Sequence, residues 1–331
     1  MTVLLVACAK QETPAKSNDE NKGESTLVYG SADYTRINPA MDEHCEINVL
    51  LFSGLTAHDA EDQVVPGLAE RWEYDEETFT YTFHIRDGVK WHDGEPFTAE
   101  DVKFTIEAIM DPENGAENAP NYEDVQEITV PDEKTICFRL AEPNVAFLEY
   151  MTMAILPKHL LEGEDMQQSD FFRAPVGTGP YKVVQYNSGD SLILEGFDDY
   201  WIEGQPYVKN VTLRYISDAS SRVIEAESGN ADIVYEITAT NVDRVRADEN
   251  INLVSAMGAN TSYLYMNQAK TPFENELVRE AVWYAVDLNS CMACLGFDLC
   301  NERGYSLVLI LAPHLAELLT LDVAESLLDE I

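Results

Sequence analysis

Hydrophobic and polar residues of this chain follow two periodicities in well-separated segments. In "TFTYTFHIR" (residues 78–86), apolar residues occupy every second position, at Phe79, Tyr81, Phe83 and Ile85. This alternation predicts a strand with one buried face. Hairpins are predicted at 125–140, turning at residues 131–133, and at 181–197, turning at 187–190. Further strands are predicted at 26–32, 211–217, 231–237, 250–258 and 261–267.

Helical spacing follows Thr98, where Val102, Ile106 and Ile109 form a stripe predicted to be buried. Thr98 stands at the helix N-cap, and Asp101 completes a variant of the capping box. Other helices are predicted at 144–157, at 218–230 with Gly229 closing the helix, and at 272–287. In this last helix Asn275 is the predicted cap, and the residues predicted to face inward are Leu277, Val278, Ala281, Val282 and Ala285.

Strands and helices are mixed along the chain without a strict β-α-β order. This favours an α/β fold with a mixed sheet. The length of 331 residues is enough for two domains with their own cores.

The charge of the chain excludes one class of partner. Sixty acidic residues against 21 basic ones give a net charge of −39. Such a surface repels polyanions, so nucleic acid is excluded as a partner. The sequence contains no run of 18 apolar residues that would predict a membrane-spanning helix.

The N-terminus contains the sequence Leu5-Val6-Ala7-Cys8, followed by a polar stretch at residues 9–26. Residues 5–8 resemble a bacterial lipobox, in which the cysteine is lipidated and becomes the mature N-terminus. The composition of the polar stretch predicts a flexible tether. Only seven residues, none of them Lys or Arg, precede Cys8, and the alternative interpretation is a chance cysteine in a frayed terminus.

The stretch "KWHDGEPFTAEDVKF" (residues 90–104) surrounds His92 with acidic residues. A metal or acid/base site is one interpretation. A turn that leads into a helix is favoured, because Gly94 and Pro96 punctuate a reversal and a lone histidine lacks further metal ligands.

Three other motifs are weak candidates for chemistry. The string Gly189-Asp190-Ser191-Leu192 matches a hydrolase motif, but it falls in a predicted hairpin turn, and His314 is the only later histidine. "VGTGPY" (residues 176–181) lacks the third glycine of a dinucleotide loop. A third group, of three cysteines, lacks a clear fourth metal ligand: Cys291, Cys294 and Cys300.

Several segments together resemble the family 5 solute-binding proteins of ABC importers, which include oligopeptide, dipeptide and nickel binders. The first is "VVPGLAERWEYDEETFTYTFHIRDGVKWHDGEPFTAEDVKFTIEAI" (64–109). The others are "PVGTGPYKV" (175–183), "DYW" (199–201), "EAESGNADIV" (225–234) and "TSYLYMNQAKTPFENELVREAVWYAVD" (261–287). The resemblance spans residues 26–287, and in this family the segment around His92 is structural.

The resemblance implies a type II periplasmic-binding-protein clamshell, in which two lobes close around a solute. It divides the chain into a signal remnant and tether (1–25), lobe I (26–268) with an inserted subdomain at about 46–169, and a hinge with the start of lobe II (269–331). Residues after Asp287 no longer resemble the family. We therefore expect a lobe II that is truncated or aberrant, and a segment 288–331 that does not fold as its native continuation.

The resemblance also places candidate ligand-binding residues. The end of the first strand of lobe I meets the ligand in this family, and a peptide carboxylate is a suitable partner for Arg36. The weaker candidates are the aromatic or sulfur-containing residues Tyr122, Met153 and Tyr263, which core packing explains equally well. For the remaining candidates, the alternative explanation is a solvated loop. The full set is Ser31, Asp33, Tyr34, Arg36, Tyr122, Met153 and Tyr263.

The function implied is peptide capture outside the cytoplasm by a membrane-anchored lipoprotein, followed by delivery to the permease subunits of an ABC importer. No catalytic residue, metal or cofactor is expected. One alternative is binding of a nickel chelate or another small solute, which His44 and Cys45 suggest. The alternatives from other classes are a metal-dependent hydrolase and a structural surface lipoprotein.

Overall fold

A computed structural model describes residues 2–7, 26–31, 37–39, 47–235, 237–256 and 266–286. The chain divides into two compact units. One contains Met1–Cys8 and Tyr235–Ile331, and the other contains Ala9–Val234.

The described strands, in chain order, are β1 (Thr2–Ala7), β2 (Thr26–Ser31), β3 (Thr56–His58), β4 (Val64–Pro66), β5 (Ala69–Asp75), β6 (Thr80–Ile85), β7 (Val125–Asp132), β8 (Thr135–Leu140), β9 (Tyr181–Asn187), β10 (Ser191–Gly196), β11 (Asn210–Tyr215), β12 (Ile233–Tyr235) and β13 (Ile251–Ala256). The described helices are α1 (Asn48–Leu51), α2 (Ala99–Met110), α3 (Phe147–Tyr150), α4 (Lys158–Leu161), α5 (Ala219–Glu227), α6 (Ala239–Arg246) and α7 (Glu276–Ala285), with 3-10 turns at Ala119–Tyr122 and Asp170–Arg173.

The first sheet of the unit Ala9–Val234 is mixed. Strand β2 is parallel to β11 and to β12, whereas β10 is antiparallel to β9 and to β11. The β9–β10 hairpin turns at Gly189, whose φ of 72° favours glycine. These findings confirm the predicted α/β class with a mixed sheet.

A second sheet, antiparallel in the order β5-β6-β8-β7, lies within residues 69–140. The alternation predicted for 78–86 is confirmed, because Tyr81, Phe83 and Ile85 are buried. Phe83 meets Phe138 of β8 edge-on, with ring centroids 5.9 Å apart. Phe79 was predicted on the same face but precedes the strand with a φ of 54°, in the turn from β5.

The turn of the β7–β8 hairpin was predicted at residues 131–133, but β7 continues to Asp132. Thr129 pairs with Cys137 and Asp132 pairs with Thr135, with a register shift between the two pairs. Pro131 therefore occupies an irregularity of an edge strand, where its missing N–H breaks no regular ladder bond. The reversal itself follows at residues 133–134.

Helix α2 confirms the predicted capping box. The backbone N–H of Thr98 donates to Asp101 Oδ2 at 2.9 Å, and the predicted stripe of Val102, Ile106 and Ile109 is buried. Burial raises the pKa of Asp101, whose other oxygen accepts the Lys158 N–H at 3.0 Å. The stretch after Pro96 is thus the start of a helix that packs against the second sheet and α4.

The long helix predicted at 144–157 is wrong, because only α3 forms there. The Thr152 hydroxyl donates to the Glu149 carbonyl at 2.7 Å and competes with the helical pattern. The following backbone pairs with another segment: Thr56 N–H donates to Met151 O at 3.1 Å, and Ile155 N–H donates to Ser53 O at 3.1 Å. Tertiary pairing therefore prevails over local helix propensity.

In the unit that contains Met1–Cys8 and Tyr235–Ile331, β1 and β13 pair antiparallel from Thr2↔Ala256 to Ala7↔Ile251. Helix α7 confirms its predicted cap, since Asn275 Oδ1 accepts the Leu277 N–H at 2.9 Å. The predicted inward face is only partly right. Leu277 and Ala285 are exposed, and the buried residues are Ala281 and Tyr284, because the tyrosine ring buries more apolar area than Ala285.

The strand predicted at 261–267 lies largely outside the described residues, and the segment 288–331 lies wholly outside them. Within the described part of the chain, no helix is both long and apolar enough to cross a membrane.

Candidate functional site

A pocket of about 720 Å³ lies within the unit Ala9–Val234. Most of its lining comes from four short segments of the chain: 48–58, 121–122, 149–154 and 200–202. Its volume is in the range of small-molecule sites, roughly 300–1,000 Å³.

One wall of the pocket is the extended chain between α1 and β3. The Gly54 carbonyl accepts the Leu68 N–H at 2.9 Å, and a Cβ added to Gly54 would lie 2.4 Å from Thr152 O. A Cβ on Gly67 would lie 2.6 Å from Gly54 O. The two glycines therefore allow three backbone segments to approach closely, which fixes the wall in place.

The second wall is aromatic. Trp201 Nε1 donates to Ser53 Oγ at 3.4 Å, and the Arg86 guanidinium lies over the Trp201 ring, 5.2 Å from its centroid. Arg86 Nε also donates to Gly67 O at 2.6 Å, which connects the tryptophan to the first wall. Tyr200 lies beside Trp201, and burial raises the pKa of Tyr200 to about 12, so the phenol is neutral. Stacking and apolar contact are the interactions this wall offers a solute.

A histidine and a carboxylate that contact each other also line the pocket. His58, at the end of β3, lies with Nε2 at 2.6 Å from Glu149 Oε2 of α3. Their side chains are 37% and 50% exposed. The other described lining residues are apolar or uncharged, and no Lys or Arg is among them.

Two of the predicted binding residues, Tyr122 and Met153, meet at this pocket. The Tyr122 hydroxyl donates to Tyr150 O at 2.7 Å and lies 3.7 Å from Met153 Sδ. Their exposed fractions are 1% and 8%, so they form the floor of the pocket and also belong to the core.

The other predicted residues are not at this pocket or are not described. Ser31 is buried at the end of β2, where its carbonyl accepts the Ile216 N–H at 2.7 Å, and it is not part of the lining. Four more binding candidates and the lipidation candidate lie outside the described residues: Asp33, Tyr34, Arg36, Tyr263 and Cys8.

The residues that give the pocket its chemistry were not predicted from the sequence: His58, Glu149, Tyr150, Tyr200 and Trp201. "DYW" marked Trp201 only as part of a family motif. Nothing in the local sequence indicated that residues so far apart in the chain would share a cavity.

His92 has the structural role predicted for it. The Gly177 N–H donates to His92 Nδ1 at 3.0 Å, so Nε2 carries the proton that is donated to Gly179 O at 3.0 Å. Burial lowers the pKa of His92 to about 4. The neutral ring therefore ties the turn to the segment around Gly177 and is not available as a metal ligand or base. Within the described residues, no group of three or more His, Cys, Asp or Glu side chains could hold a metal ion.

The low pKa of His92 predicts a pH dependence of stability. Because its folded pKa lies below the unfolded value near 6.5, the unfolded chain takes up a proton first, so stability falls as the pH decreases from about 6.5 to 4. The expected loss from this group is about 3 kcal/mol. Urea unfolding of the parent chain and of His92→Gln across this range measures it. The variant is expected to be less stable at pH 7 and to lose less on acidification, and equal pH dependence would contradict this assignment.

Ser191 of the hydrolase motif has a structural role in the described part of the chain. The Ser191 hydroxyl donates to Asp190 Oδ2 at 2.7 Å and accepts from Asn187 Nδ2 at 3.0 Å, which closes the β9–β10 hairpin. His314, the only candidate for its base, lies outside the described residues. The glycines of "VGTGPY" pack against Leu51, and the Gly179 N–H donates to Leu51 O at 2.9 Å.

Comparison with known proteins adds an independent line of evidence. Residues 63–296 match the family described as bacterial extracellular solute-binding proteins, family 5. The match continues past Asp287, beyond the point at which the sequence analysis placed the end of the resemblance.

Individual relatives agree with this match. Over 88% of its own length, the chain is 28% identical to the oligopeptide-binding protein AppA of Bacillus subtilis. Over 68% of its own length, it is 30% identical to the dipeptide-binding protein of Escherichia coli. It covers 56% and 46% of these two proteins, so it spans about half of their length.

Solved structures show the same fold. The structure of Campylobacter jejuni NikZ in complex with Ni(L-His) matches 84% of the chain with a TM-score of 0.77 and 32% identity, and the chain covers 56% of it. The structure of Bacillus subtilis AppA with a nonapeptide matches 92% of the chain with a TM-score of 0.79 and 27% identity, and 64% of that protein is covered.

Proposed function

Since the chain belongs to the bacterial extracellular solute-binding proteins of family 5, we propose that it captures a peptide outside the cytoplasm for an ABC importer. The membrane permease subunits of that importer are the proposed partner that receives the peptide. The proposed activity is reversible binding without covalent chemistry.

The observation that carries this proposal is the pocket lined by Trp201, Tyr200 and Tyr150. Aromatic rings beside the uncharged polar side chains of Ser53, Asn121 and Thr152 suit a peptide, which presents both apolar side chains and amide groups. The names of two relatives, an oligopeptide-binding and a dipeptide-binding protein, support the same class of solute.

A nickel chelate is the second candidate. It is favoured by the 32% identity to NikZ, whose structure holds Ni(L-His). In the described part of the pocket His58 is the one histidine, which favours a chelate that brings most of its own ligands.

Ligand-induced stabilisation tests the proposal. A solute present at 100 times its Kd stabilises the folded state by about 2.7 kcal/mol, which raises the melting temperature measurably. We expect such a shift with mixed di- to pentapeptides and none with free sugars. A shift with Ni²⁺ and L-histidine in place of peptides would favour the second candidate, and no shift with either solute would contradict binding.

We also propose that Cys8 is lipidated and anchors the protein at the outer face of a membrane. The Leu5-Val6-Ala7-Cys8 sequence and the polar residues after it support this. In the unprocessed chain Thr2–Ala7 pair with β13, so processing at Cys8 would remove β1. Expression with the native upstream sequence and a palmitate label tests it. We expect label in the parent and none in Cys8→Ser, and equal label in both would overturn the assignment.

A further inference from the structure

The charges around the pocket indicate which solutes it accepts. Glu149 is the only carboxylate, and His58 the only basic side chain, among the described lining residues. An anionic group placed there would meet a carboxylate and no Lys or Arg among the described lining residues, since Arg86 contacts Trp201 but does not line the pocket. The desolvation of that group would be poorly compensated. A cationic group could donate hydrogen bonds to the Glu149 carboxylate.

The position of Glu149 is fixed, but its partner is exchangeable. Its N–H donates to Ala146 O at 3.0 Å, and its carbonyl accepts the Thr152 N–H at 3.1 Å. The carboxylate itself is half exposed, and its contact with His58 is an exposed hydrogen bond. Such pairs stabilise little, so a ligand can displace the histidine with a small loss.

Aromatic residues extend the preference for a cation. Tyr150 follows Glu149 directly, lines the same pocket and lies edge-on to Tyr122, with ring centroids 6.2 Å apart. Tyrosine faces attract ammonium and guanidinium groups. The net charge of −39 adds a long-range attraction for cations.

We propose that Glu149 selects solutes with a positive charge, which it binds in this pocket in exchange for His58. The charged group is the ammonium or guanidinium of a basic side chain of the peptide. This inference rests on the proposed peptide binding and specifies its substrate class.

Calorimetric titration with matched peptides tests the inference. Ala-Lys-Ala against Ala-Gln-Ala measures preference for a basic side chain, and Ala-Ala-Ala against its N-acetyl form measures preference for the terminal ammonium. In the parent chain we expect Ala-Lys-Ala to bind about tenfold more tightly than Ala-Gln-Ala. Glu149→Gln is expected to abolish that ratio. The matched control Glu113→Gln, which changes an exposed carboxylate outside the lining, is expected to keep it.

The outcomes separate this inference from the proposed function. If peptides bind and Glu149→Gln leaves the ratio of Ala-Lys-Ala to Ala-Gln-Ala as in the parent, selection by Glu149 is wrong while peptide binding stands. A parent chain without preference for Ala-Lys-Ala has the same meaning. If no peptide binds the parent chain, the proposed function fails and the inference fails with it.

Discussion

Gly177→Ala is expected to lower the free energy of unfolding by about 3 kcal/mol, the upper end for overpacked sites. A Cβ at this position would lie 1.7 Å from the carbonyl oxygen of Leu51. That oxygen belongs to backbone that already accepts the Gly179 N–H, so the clash cannot be relieved by a side-chain movement. Phe52 and Ser53, which follow Leu51, line the pocket, so the variant is also expected to bind solute more weakly.

Urea unfolding of the parent and variant measures the effect on stability. The matched control is Gly88→Ala, where a Cβ meets nothing within 4 Å and the only strain is the φ of 72°. A left-handed alanine costs about 1–2 kcal/mol, so the control is expected to lose less. Equal losses in the two variants would show that the contact with Leu51 is easily relieved.

Features that depend on neighbouring residues could be predicted from the sequence. The capping box of Thr98 and Asp101, the hairpin turn at Gly189 and the buried stripe of α2 all depend on residues a few positions apart. His92 was recognised as structural from its turn residues and its lack of further ligands. Such local chemistry is readable because the partners are adjacent in the sequence.

Features that depend on distant contacts could not be predicted. "VGTGPY" could be rejected as a dinucleotide loop, but its glycines are explained by Leu51, more than a hundred residues away. The helix predicted at 144–157 does not form in full, because its backbone pairs with the segment around Ser53. The pocket itself combines Trp201, held by Arg86, with Glu149, held near His58. The periodicity of apolar residues does not indicate which distant segments of the chain will contact each other.

Trp201→Ala is expected to weaken peptide binding by about 30-fold or more. A buried aromatic anchor at a binding site typically contributes at least about 2 kcal/mol, which corresponds to that factor. Trp201 is held by Ser53 and Arg86 from within the protein, so its ring presents a fixed surface to the pocket at little entropic cost. Isothermal titration with the peptide that gives the largest thermal shift measures the change.

Tyr207→Ala is the matched control for this prediction. Tyr207 is 87% exposed and is not part of the pocket lining, so its loss is expected to leave affinity within about twofold. Melting temperatures of both variants show whether each still folds. An unchanged affinity in a folded Trp201→Ala variant would contradict the role assigned to the aromatic wall.

We propose that this family 5 protein binds its solute in the pocket of the unit Ala9–Val234. A crystal structure of the chain grown with its best-binding peptide tests the claim directly. We predict peptide density within van der Waals contact, about 4 Å, of Trp201 and Tyr150, with a charged nitrogen at hydrogen-bond distance from Glu149. Peptide bound elsewhere on the chain, with this pocket filled only by water, would contradict the claim.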